Sequence, residues 1–338
     1  MRSLLRSMWI VAKSLGAASL GAALLVAVRP AAASTPLARQ PLAEINAHLQ
    51  AGEADKALDL IASLPQGGSN IAQAKFLECR VRYALEQWSA AADACARAVE
   101  LDGKNSNYHM WYGRALGGRA NSASFLSAFS LGKQVHEQFE TAVELDPRNA
   151  EALSDLGSFD VDAPAIVGGG LDKAEQVASQ LEKIDQARAH QLRAEMASHR
   201  KDYATEEKEL KAAVAASAHP ALQLTVLASF YRHRQRWDEM DAAVRSAQSA
   251  AAKDRTAGVA LYDGAGVLYE ARRDSVLAAK MLQDYLSSSS KTDEAPAFVA
   301  YSRLAELQRQ LGNSAEAQRD VAAAQALAHE YRPKEAKH

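Results

Sequence analysis

The sequence predicts an all-α chain built from stacked helical hairpins. Apolar residues recur at spacings of three and four rather than two, which indicates amphipathic helices. The composition is rich in alanine, and only 9 of the 338 residues are proline, so it favours helix. Similar stretches return about every 34 residues, which is typical of a repeat array rather than of one closed core.

The first 33 residues are predicted to be a bacterial-type secretory signal peptide. Basic residues at the start are followed by an apolar run over residues 15–28 and by Ala31-Ala32-Ala33, a small-residue cleavage site before Ser34. The alternative is an uncleaved anchor, although about 14 apolar residues are few for a membrane span. We therefore expect an exported protein, periplasmic or secreted, with no stable membrane insertion after cleavage.

The balance of charge does not favour nucleic acid as a partner. The whole chain has 39 basic and 41 acidic residues, and the predicted signal holds four of the basic ones and none of the acidic ones. Because nucleic-acid binding depends on a basic face, an acidic mature chain gives no reason to expect it.

The internal repeat can be aligned on an alanine-centred helix. Four stretches share the pattern: GEADKALDLIASL, EQWSAAADACARAVELD, RQRWDEMDAAVRSA and LGNSAEAQRDVAAA. Extending the alignment gives eight units, with intervals between about 32 and 44 residues, of the size expected for helical-hairpin repeats. The eight anchor positions are Leu64, Ala98, Ala142, Leu181, Ala213, Ala247, Tyr285 and Ala324.

Three stretches resemble the tetratricopeptide repeat (TPR) family. FETAVELDP (139–147) carries the aromatic, alanine and proline of that family's pattern, AEALSDLG (150–157) carries its leucines and glycine, and WYGRAL (111–116) is similar. The resemblance covers roughly residues 38–330 and is close to stretches in exported bacterial TPR proteins of undefined role. Repeats 1, 5 and 7 depart from the pattern.

The resemblance implies a right-handed α-solenoid of about eight antiparallel helix pairs over residues 34–330, followed by a polar tail over 331–338. Each hairpin exposes a face that only the next one covers, so the array stacks around a concave groove. The last helix then serves as a solvated cap. Family geometry places an aromatic and basic patch in the groove of repeats 2 and 3, formed by Phe76, Arg80, Tyr83, Asn107, Met110 and Arg114. Further groove positions are Arg188, Gln191, Glu195, His199, Thr225, Arg232 and His233.

Arg80 and Arg114 occupy the same position of consecutive repeats. Such a pair suits an acidic side chain or a C-terminal carboxylate, although isolated solvated arginines are an equally good interpretation. The Lys and Asn set of TPR domains that clamp a C-terminal carboxylate is absent from the matching positions, so that particular ligand is not expected.

The two cysteines, Cys79 and Cys95, fall at facing positions of one hairpin on the TPR register. An exported protein meets an oxidising compartment, so a disulfide within repeat 2 is one interpretation. The other is a pair of buried, reduced cysteines. A redox-active pair is not expected, since no C-x-x-C motif is present.

The stretch FDVDAPAIVGGGLDKAE (159–175) invites a phosphate or calcium interpretation, but both motifs fail. A P-loop requires Lys and Ser or Thr after its last glycine, and a calcium loop from Asp160 would place Pro164 and Leu171 at ligand positions. We expect a lengthened turn between the helices of repeat 4, with Pro164 ending the first helix and Asp172 capping the second.

Other signals of chemistry are weak. HEQFE (136–140) lacks the second histidine of H-E-x-x-H, and the S-x-x-K matches at Ser130 and Ser288 lack their companion motifs. The sequence therefore predicts no catalytic residues, no metal and no cofactor.

Repeat 3 contains the largest insertion, at about residues 117–128. It suggests a loop followed by an overlong helix with Phe125, Phe129 and Phe139 along one stripe. Such a stripe usually packs inside the array, and the alternative is a docking ridge or dimer contact.

The function expected from these observations is a non-enzymatic protein-interaction scaffold or adaptor of the cell envelope, which binds a partner protein or peptide in its groove. The alternatives are a protein that binds a small ligand or an envelope polymer in the same groove and, less favoured, an enzyme built around the inserted loops.

Overall fold

The computed structural model describes residues 36–65, 70–254, 256–289 and 291–331. The predicted signal peptide and residues 332–338 of the predicted tail lie outside this part of the chain. The described residues form sixteen α-helices, all paired with a neighbour along the chain. They are α1 (Pro36–Ala51), α2 (Ala54–Ser63), α3 (Ile71–Ala84), α4 (Trp88–Leu101), α5 (Ser106–Ala120), α6 (Phe125–Leu145), α7 (Ala150–Asp162), α8 (Leu171–Leu181), α9 (Gln186–His199), α10 (Tyr203–Ala216), α11 (Ala221–His233), α12 (Trp237–Ala251), α13 (Gly258–Ala271), α14 (Ser275–Ser287), α15 (Ala297–Gln310) and α16 (Ser314–Leu327).

These helices make eight consecutive hairpins, hairpin 1 (α1 and α2) to hairpin 8 (α15 and α16), which confirms the predicted all-α solenoid and its repeat number. Every anchor residue of the alignment lies on, or directly after, the second helix of its hairpin. Tyr285, which replaces the usual alanine in repeat 7, is fully buried like the alanines. The alignment therefore identified the register correctly even where the motif is degenerate.

Small residues bring the paired helices together. A Cβ on Gly113 of α5 would lie 2.5 Å from the Phe139 ring of α6, and a Cβ on Gly264 of α13 would lie 2.5 Å from Met281 of α14. Because contacts this short do not occur between carbon atoms, the Phe139 ring requires glycine opposite it, whereas the flexible end of Met281 would have to move.

The two insertions take different forms. In repeat 3, α6 has 21 residues, so the overlong helix is confirmed. In repeat 4, α7 ends before Pro164 as expected, and a short 3-10 helix (Ala165–Val167) then precedes α8. The predicted cap is wrong, because Gly170 occupies the cap position and Asp172 lies within the first turn of α8.

The two ends of the solenoid contact each other. Phe298 of α15 is 1 % exposed and packs in one core cluster with Leu42, Ile45 and Leu49 of α1. The cluster also includes Ala324 and Ala328, at the end of hairpin 8. The solvated cap predicted for the last helix is therefore only half correct, because one of its faces is covered by hairpin 1.

Polar contacts accompany this closure. The backbone N–H of His329 donates to Asp55 Oδ2 of α2 at 2.8 Å, and Gln87 Nε2 donates to Glu330 Oε2 at 3.2 Å. A Cβ on Gly52, between α1 and α2, would lie 2.6 Å from the backbone nitrogen of Ala297. The eight hairpins thus form a closed circuit in which hairpins 1 and 8 are neighbours.

Candidate functional site

The inner face of hairpins 2 and 3 brings together four of the six residues predicted to bind a partner: Phe76, Arg80 and Tyr83 on α3 and Arg114 on α5. Trp111 of α5 lies among them, and we call these five residues the cradle. The other two predicted residues are placed differently. Met110 is 1 % exposed in the core of hairpins 2 to 5, so it is not available to a partner.

Asn107, the other residue outside the cradle, is exposed at the start of α5. Its side-chain oxygen accepts a hydrogen bond from Asn149 Nδ2 at 3.2 Å. Asn149 is the N-cap of α7, so Asn107 links two neighbouring hairpins at the rim of the inner face.

Arg80 is paired with a carboxylate from the far end of the chain. Its Nε and Nη2 atoms donate to Asp293 at 2.7 and 3.1 Å, across 213 residues of sequence. Its Nη1 atom donates to Asn46 of α1 at 3.3 Å. A two-point contact between guanidinium and carboxylate is the most directional ion pair that proteins form.

Arg114 is enclosed by carboxylates. Its Nε and Nη2 atoms contact Asp155 of α7 at 2.5 and 3.3 Å, and its Nη1 atom donates to Glu294 at 2.8 Å. Glu151 lies 3.7 Å from Nη2. The side chain of Arg114 is only 7 % exposed, so its charge is compensated by the protein rather than by water.

Aromatic rings flank both arginines. The Arg80 guanidinium lies 5.5 Å from the centre of the Phe76 ring and 5.4 Å from that of Trp111, and Arg114 lies 5.0 Å from Trp111. Tyr83 meets Trp111 edge-on, with ring centres 5.2 Å apart. Cation–π contacts of this kind fix the direction of a guanidinium without neutralising it.

The segment that reaches the cradle is residues 291–296, which connect α14 to α15 and are called the strap. Asp293 and Glu294 lie at its centre, and Asp293 is 6 % exposed. The Tyr285 hydroxyl of α14 donates to the carbonyl oxygen of Ala295 and accepts from the backbone N–H of Thr292. The strap is therefore held by its two acidic side chains and by one tyrosine.

Burial raises the pKa of Glu294 well above its ordinary value. Arg114 acts in the opposite direction, whereas Asp293, Glu151 and Asp155 add to the effect of burial. Two guanidinium groups face four carboxyl groups here, so one carboxyl group retains its proton more readily than it does in water.

Sequence reasoning missed four members of this arrangement, although a signal existed for each. Trp111 is the first residue of the quoted WYGRAL, and Asp155 lies inside the quoted AEALSDLG. Asp293 and Glu294 lie in the linker that lengthens the interval between the last two repeats. Two adjacent acids in a long linker match two arginines at one repeat position, but only the closure of the ring brings them together.

Cys79 of α3 and Cys95 of α4 are joined by a disulfide with Cα atoms 5.1 Å apart, and both residues are fully buried. The bond joins the two helices of hairpin 2 next to Arg80, the residue that follows Cys79. It therefore restrains the helix that carries three of the five cradle residues.

The inner face of hairpins 4 and 5 has a different chemistry. Glu195 of α9 accepts a hydrogen bond from Ser158 Oγ of α7 at 2.7 Å, and no guanidinium or ammonium group of the described residues pairs with it. Burial raises the pKa of Glu195 to about 8; the Ser158 hydrogen bond opposes this, and Asp162 and Asp155 add to it. We call Ser158, Asp162, Gln191 and Glu195 the acidic stretch.

Gln191 contributes an unsatisfied donor to this stretch. It lies one turn before Glu195, is 4 % exposed, and its Nε2 atom has no hydrogen-bond partner within the described part of the chain. Burial raises the pKa of Asp162 as well, an effect that His199 opposes. Buried polar groups of this kind are normally satisfied, so the acidic stretch has spare hydrogen-bonding capacity.

The glycine-rich turn of repeat 4 has a structural role on the outside of α6 and α7. Gly168 has φ +113°, and a Cβ there would lie 2.6 Å from Nδ1 of His136. The Nε2 atom of His136 lies 3.6 Å from Asp160 Oδ1, and Asp160 is 2 % exposed. The turn therefore covers a buried His–Asp pair. Among the described residues, no group of three or more His, Cys, Asp or Glu side chains is placed to hold a metal ion.

The insertion of repeat 3 leaves apolar side chains exposed to solvent. Phe125 and Leu126 at the start of α6 are 66 % and 80 % exposed, whereas Phe139 is buried. The interior interpretation of the phenylalanine stripe is therefore wrong for Phe125, because the first turn of α6 is exposed to solvent. A cavity of about 450 Å³ lies beside it, lined by Ser89, Arg119, Ser122, Ala123, Ser127, Ser130, Leu131 and Gln134.

None of the helices in the described part of the chain combines the length and the apolar character needed to cross a bilayer.

No family model matches the chain, and no curated protein matches it. Solved structures similar to it include a thermophilic TPR protein, TTC0263, in Thermus thermophilus, with 22 % identity and a TM-score of 0.42 over 59 % of this chain and 99 % of that one. Another is the human IFIT1 dimer with m7Gppp-AAAA, with 17 % identity and a TM-score of 0.43 over 77 % of this chain. The chain spans 60 % of the length of IFIT1. The fold, eight consecutive helical hairpins in the predicted register, is TPR-like.

Proposed function

We propose that the protein is a non-enzymatic interaction scaffold of the cell envelope, which binds a partner protein or peptide on the inner face of hairpins 2 and 3. Solenoids of helical hairpins present long inner surfaces and generally serve as protein-interaction scaffolds. The export signal predicted in residues 1–33 is the basis for placing the protein outside the cytoplasm.

One observation supports the location of the binding face. The cradle already holds a non-helical segment, the strap, through the two arginines that the repeat register singles out. Aromatic rings beside arginines are also the residue types enriched where proteins bind proteins. A surface that binds one extended acidic segment is suited to another.

Native co-purification followed by mass spectrometry tests this proposal. The bait is the wild-type chain, and the variant Arg80→Ala is compared with Arg97→Ala, which removes an exposed arginine on the outer helix of the same hairpin. A partner retained by wild type and Arg97→Ala but lost with Arg80→Ala supports the cradle. Equal recovery with all three baits excludes the cradle as the binding face.

A second candidate function is the binding of a small ligand or envelope polymer by the acidic stretch. Gln191 Nε2 has no hydrogen-bond partner among the described residues, and burial raises the pKa of Glu195 to about 8. Both groups favour a ligand with oxygen acceptors, such as a neutral oligosaccharide. Thermal unfolding with a panel of neutral oligosaccharides tests it. A rise in melting temperature that Gln191→Leu abolishes supports this function, and no rise with any member of the panel counts against it.

A further inference from the structure

We propose that the strap occupies the binding site of an acidic segment of a partner protein. On binding, this segment displaces the strap from Arg80 and Arg114. The inference rests on the proposed function and adds the chemical class of the partner. The segment has an aspartate that meets Arg80, followed directly by a second acidic residue that meets Arg114.

The spacing of the contacts defines this class. Asp293 and Glu294 are adjacent in sequence, and they reach arginines on two neighbouring hairpins. Adjacent residues of an extended chain point in different directions, so one dipeptide can span both guanidinium groups. The recognised feature is thus a pair of consecutive acids in an extended segment, and a single carboxylate could not satisfy both arginines.

The two arginines differ in how far they depend on the strap. Arg114 keeps two contacts to Asp155 when the strap leaves, whereas Asp293 is the only carboxylate among the described residues that pairs with Arg80. The Arg80 side chain is 17 % exposed, so water and a competing carboxylate can reach it. Exchange therefore begins at Arg80, and Arg114 stays fixed by α7 meanwhile.

Displacement also affects the closure of the ring. The strap leads directly into Ala297 and Phe298, the first residues of α15, which contact Gly52 and the α1 core. A strap that has left the cradle no longer holds this end of α15 against hairpin 1. Binding of the acidic segment is therefore coupled to loosening of the contact between hairpins 1 and 8.

The test uses a labelled, capped peptide with the sequence of the strap and the first residue of α15, KTDEAPA, and a control peptide, KTAAAPA. Binding is measured by fluorescence anisotropy to the full chain, to Asp293→Ala/Glu294→Ala, and to Glu137→Ala/Glu144→Ala, which removes two exposed acids of α6. A tethered segment competes at an effective concentration near the millimolar range, so the strap variant should bind KTDEAPA about tenfold or more tightly than wild type. The α6 variant should bind like wild type, and KTAAAPA should bind to none of them.

Equal affinity of wild type and the strap variant for KTDEAPA, or no binding to either, overturns the proposal. Hydrogen exchange of the wild-type chain gives a second result that does not depend on the variant folding. Excess KTDEAPA should speed amide exchange at residues 297–301 relative to KTAAAPA, and unchanged exchange contradicts the coupling to ring closure. The proposed function fails separately, when native co-purification yields no partner that Arg80→Ala loses.

Discussion

The cradle and the acidic stretch lie on the same inner face, on equivalent helices of neighbouring hairpins, yet they treat buried charge in opposite ways. In the cradle, Arg80 and Arg114 collect carboxylates from α7 and from a segment about 180–213 residues away. In the acidic stretch, Glu195 occupies the position equivalent to Arg114 and has only a hydroxyl group as partner among the described residues. The cradle compensates most of its charge by ion pairing, with a raised pKa only at Glu294, whereas the acidic stretch has no ion pair of this kind and relies on the raised pKa of Glu195.

Asp155 connects the two regions. It binds Arg114 through both carboxylate oxygens, and its charge adds to the elevated pKa of Glu195. The carboxylate of hairpin 4 that pairs with Arg114 of hairpin 3 thus makes hairpin 5 less tolerant of a second negative charge. The inner face of these hairpins is therefore a single electrostatic unit, although the hairpins look independent in the sequence.

Replacing Arg114 should have the largest effect. Arg114→Ala leaves Asp155 and Glu294 buried without a cation, which should lower the free energy of unfolding by about 3–5 kcal/mol. Arg97→Ala removes an exposed pair with Glu100 and should cost less than about 0.5 kcal/mol. Urea unfolding measures both changes in unfolding free energy. Equal changes would contradict the view that the cradle depends on the buried ion pairs of Arg114.

The disulfide should give the next largest effect, and it acts on the cradle side only. Reducing the bond between Cys79 and Cys95 releases a loop of about 16 residues and should lower the free energy of unfolding by about 3 kcal/mol. Urea unfolding with and without dithiothreitol measures this, and Cys79→Ala/Cys95→Ala should not respond to the reductant. Free thiols found by titration of the unfolded, unreduced chain would show that the bridge does not form.

The acidic stretch should make the stability of the protein depend on pH. The unfolded chain loses the Glu195 proton near its ordinary pKa, whereas the folded chain holds it up to about pH 8. The contribution of Glu195 to stability is therefore complete at low pH and is lost as pH rises between these values, by roughly 5 kcal/mol. Glu195→Gln should reduce the slope by the share of Glu195 and leave the share of Glu294, whose pKa is also raised. Glu137→Gln should preserve the whole slope, and parallel curves for wild type and Glu195→Gln would refute the assignment.

A substitution in the turn of repeat 4 should have a smaller effect on stability and should leave the cradle and the acidic stretch unaltered. Gly168→Ala introduces a left-handed residue against the His136 ring and should cost about 1–2 kcal/mol. Gly170→Ala is the matched control, because its backbone is extended and a Cβ there meets nothing within 4 Å. Thermal unfolding compares the two, and the peptide affinity of both variants should equal that of wild type. A loss of peptide binding in Gly168→Ala would mean that the turn influences the inner face.

The sequence was most informative where structure is set by local spacing. Helical periodicity and the repeat register placed Arg80, Tyr83 and Arg114 on one face, because a helix fixes its side-chain directions within a few residues. The same register misplaced Met110, because the hairpin core of repeat 3 encloses that side chain. The register also could not connect the arginines with Asp293 and Glu294, although two adjacent acids in a long linker were visible, since the contacts of a loop depend on which distant hairpins meet.

Because hairpins 1 and 8 contact each other, the molecule should unfold differently from a linear repeat array. A linear repeat array unravels from its termini, because each terminal unit has one neighbour while every internal unit has two. Phe298, held among α1 side chains, gives the terminal hairpins of this chain a second neighbour each. Local unfolding then has no preferred terminus at which to begin. As long as the contact between hairpins 1 and 8 is intact, the chain should unfold in one cooperative step.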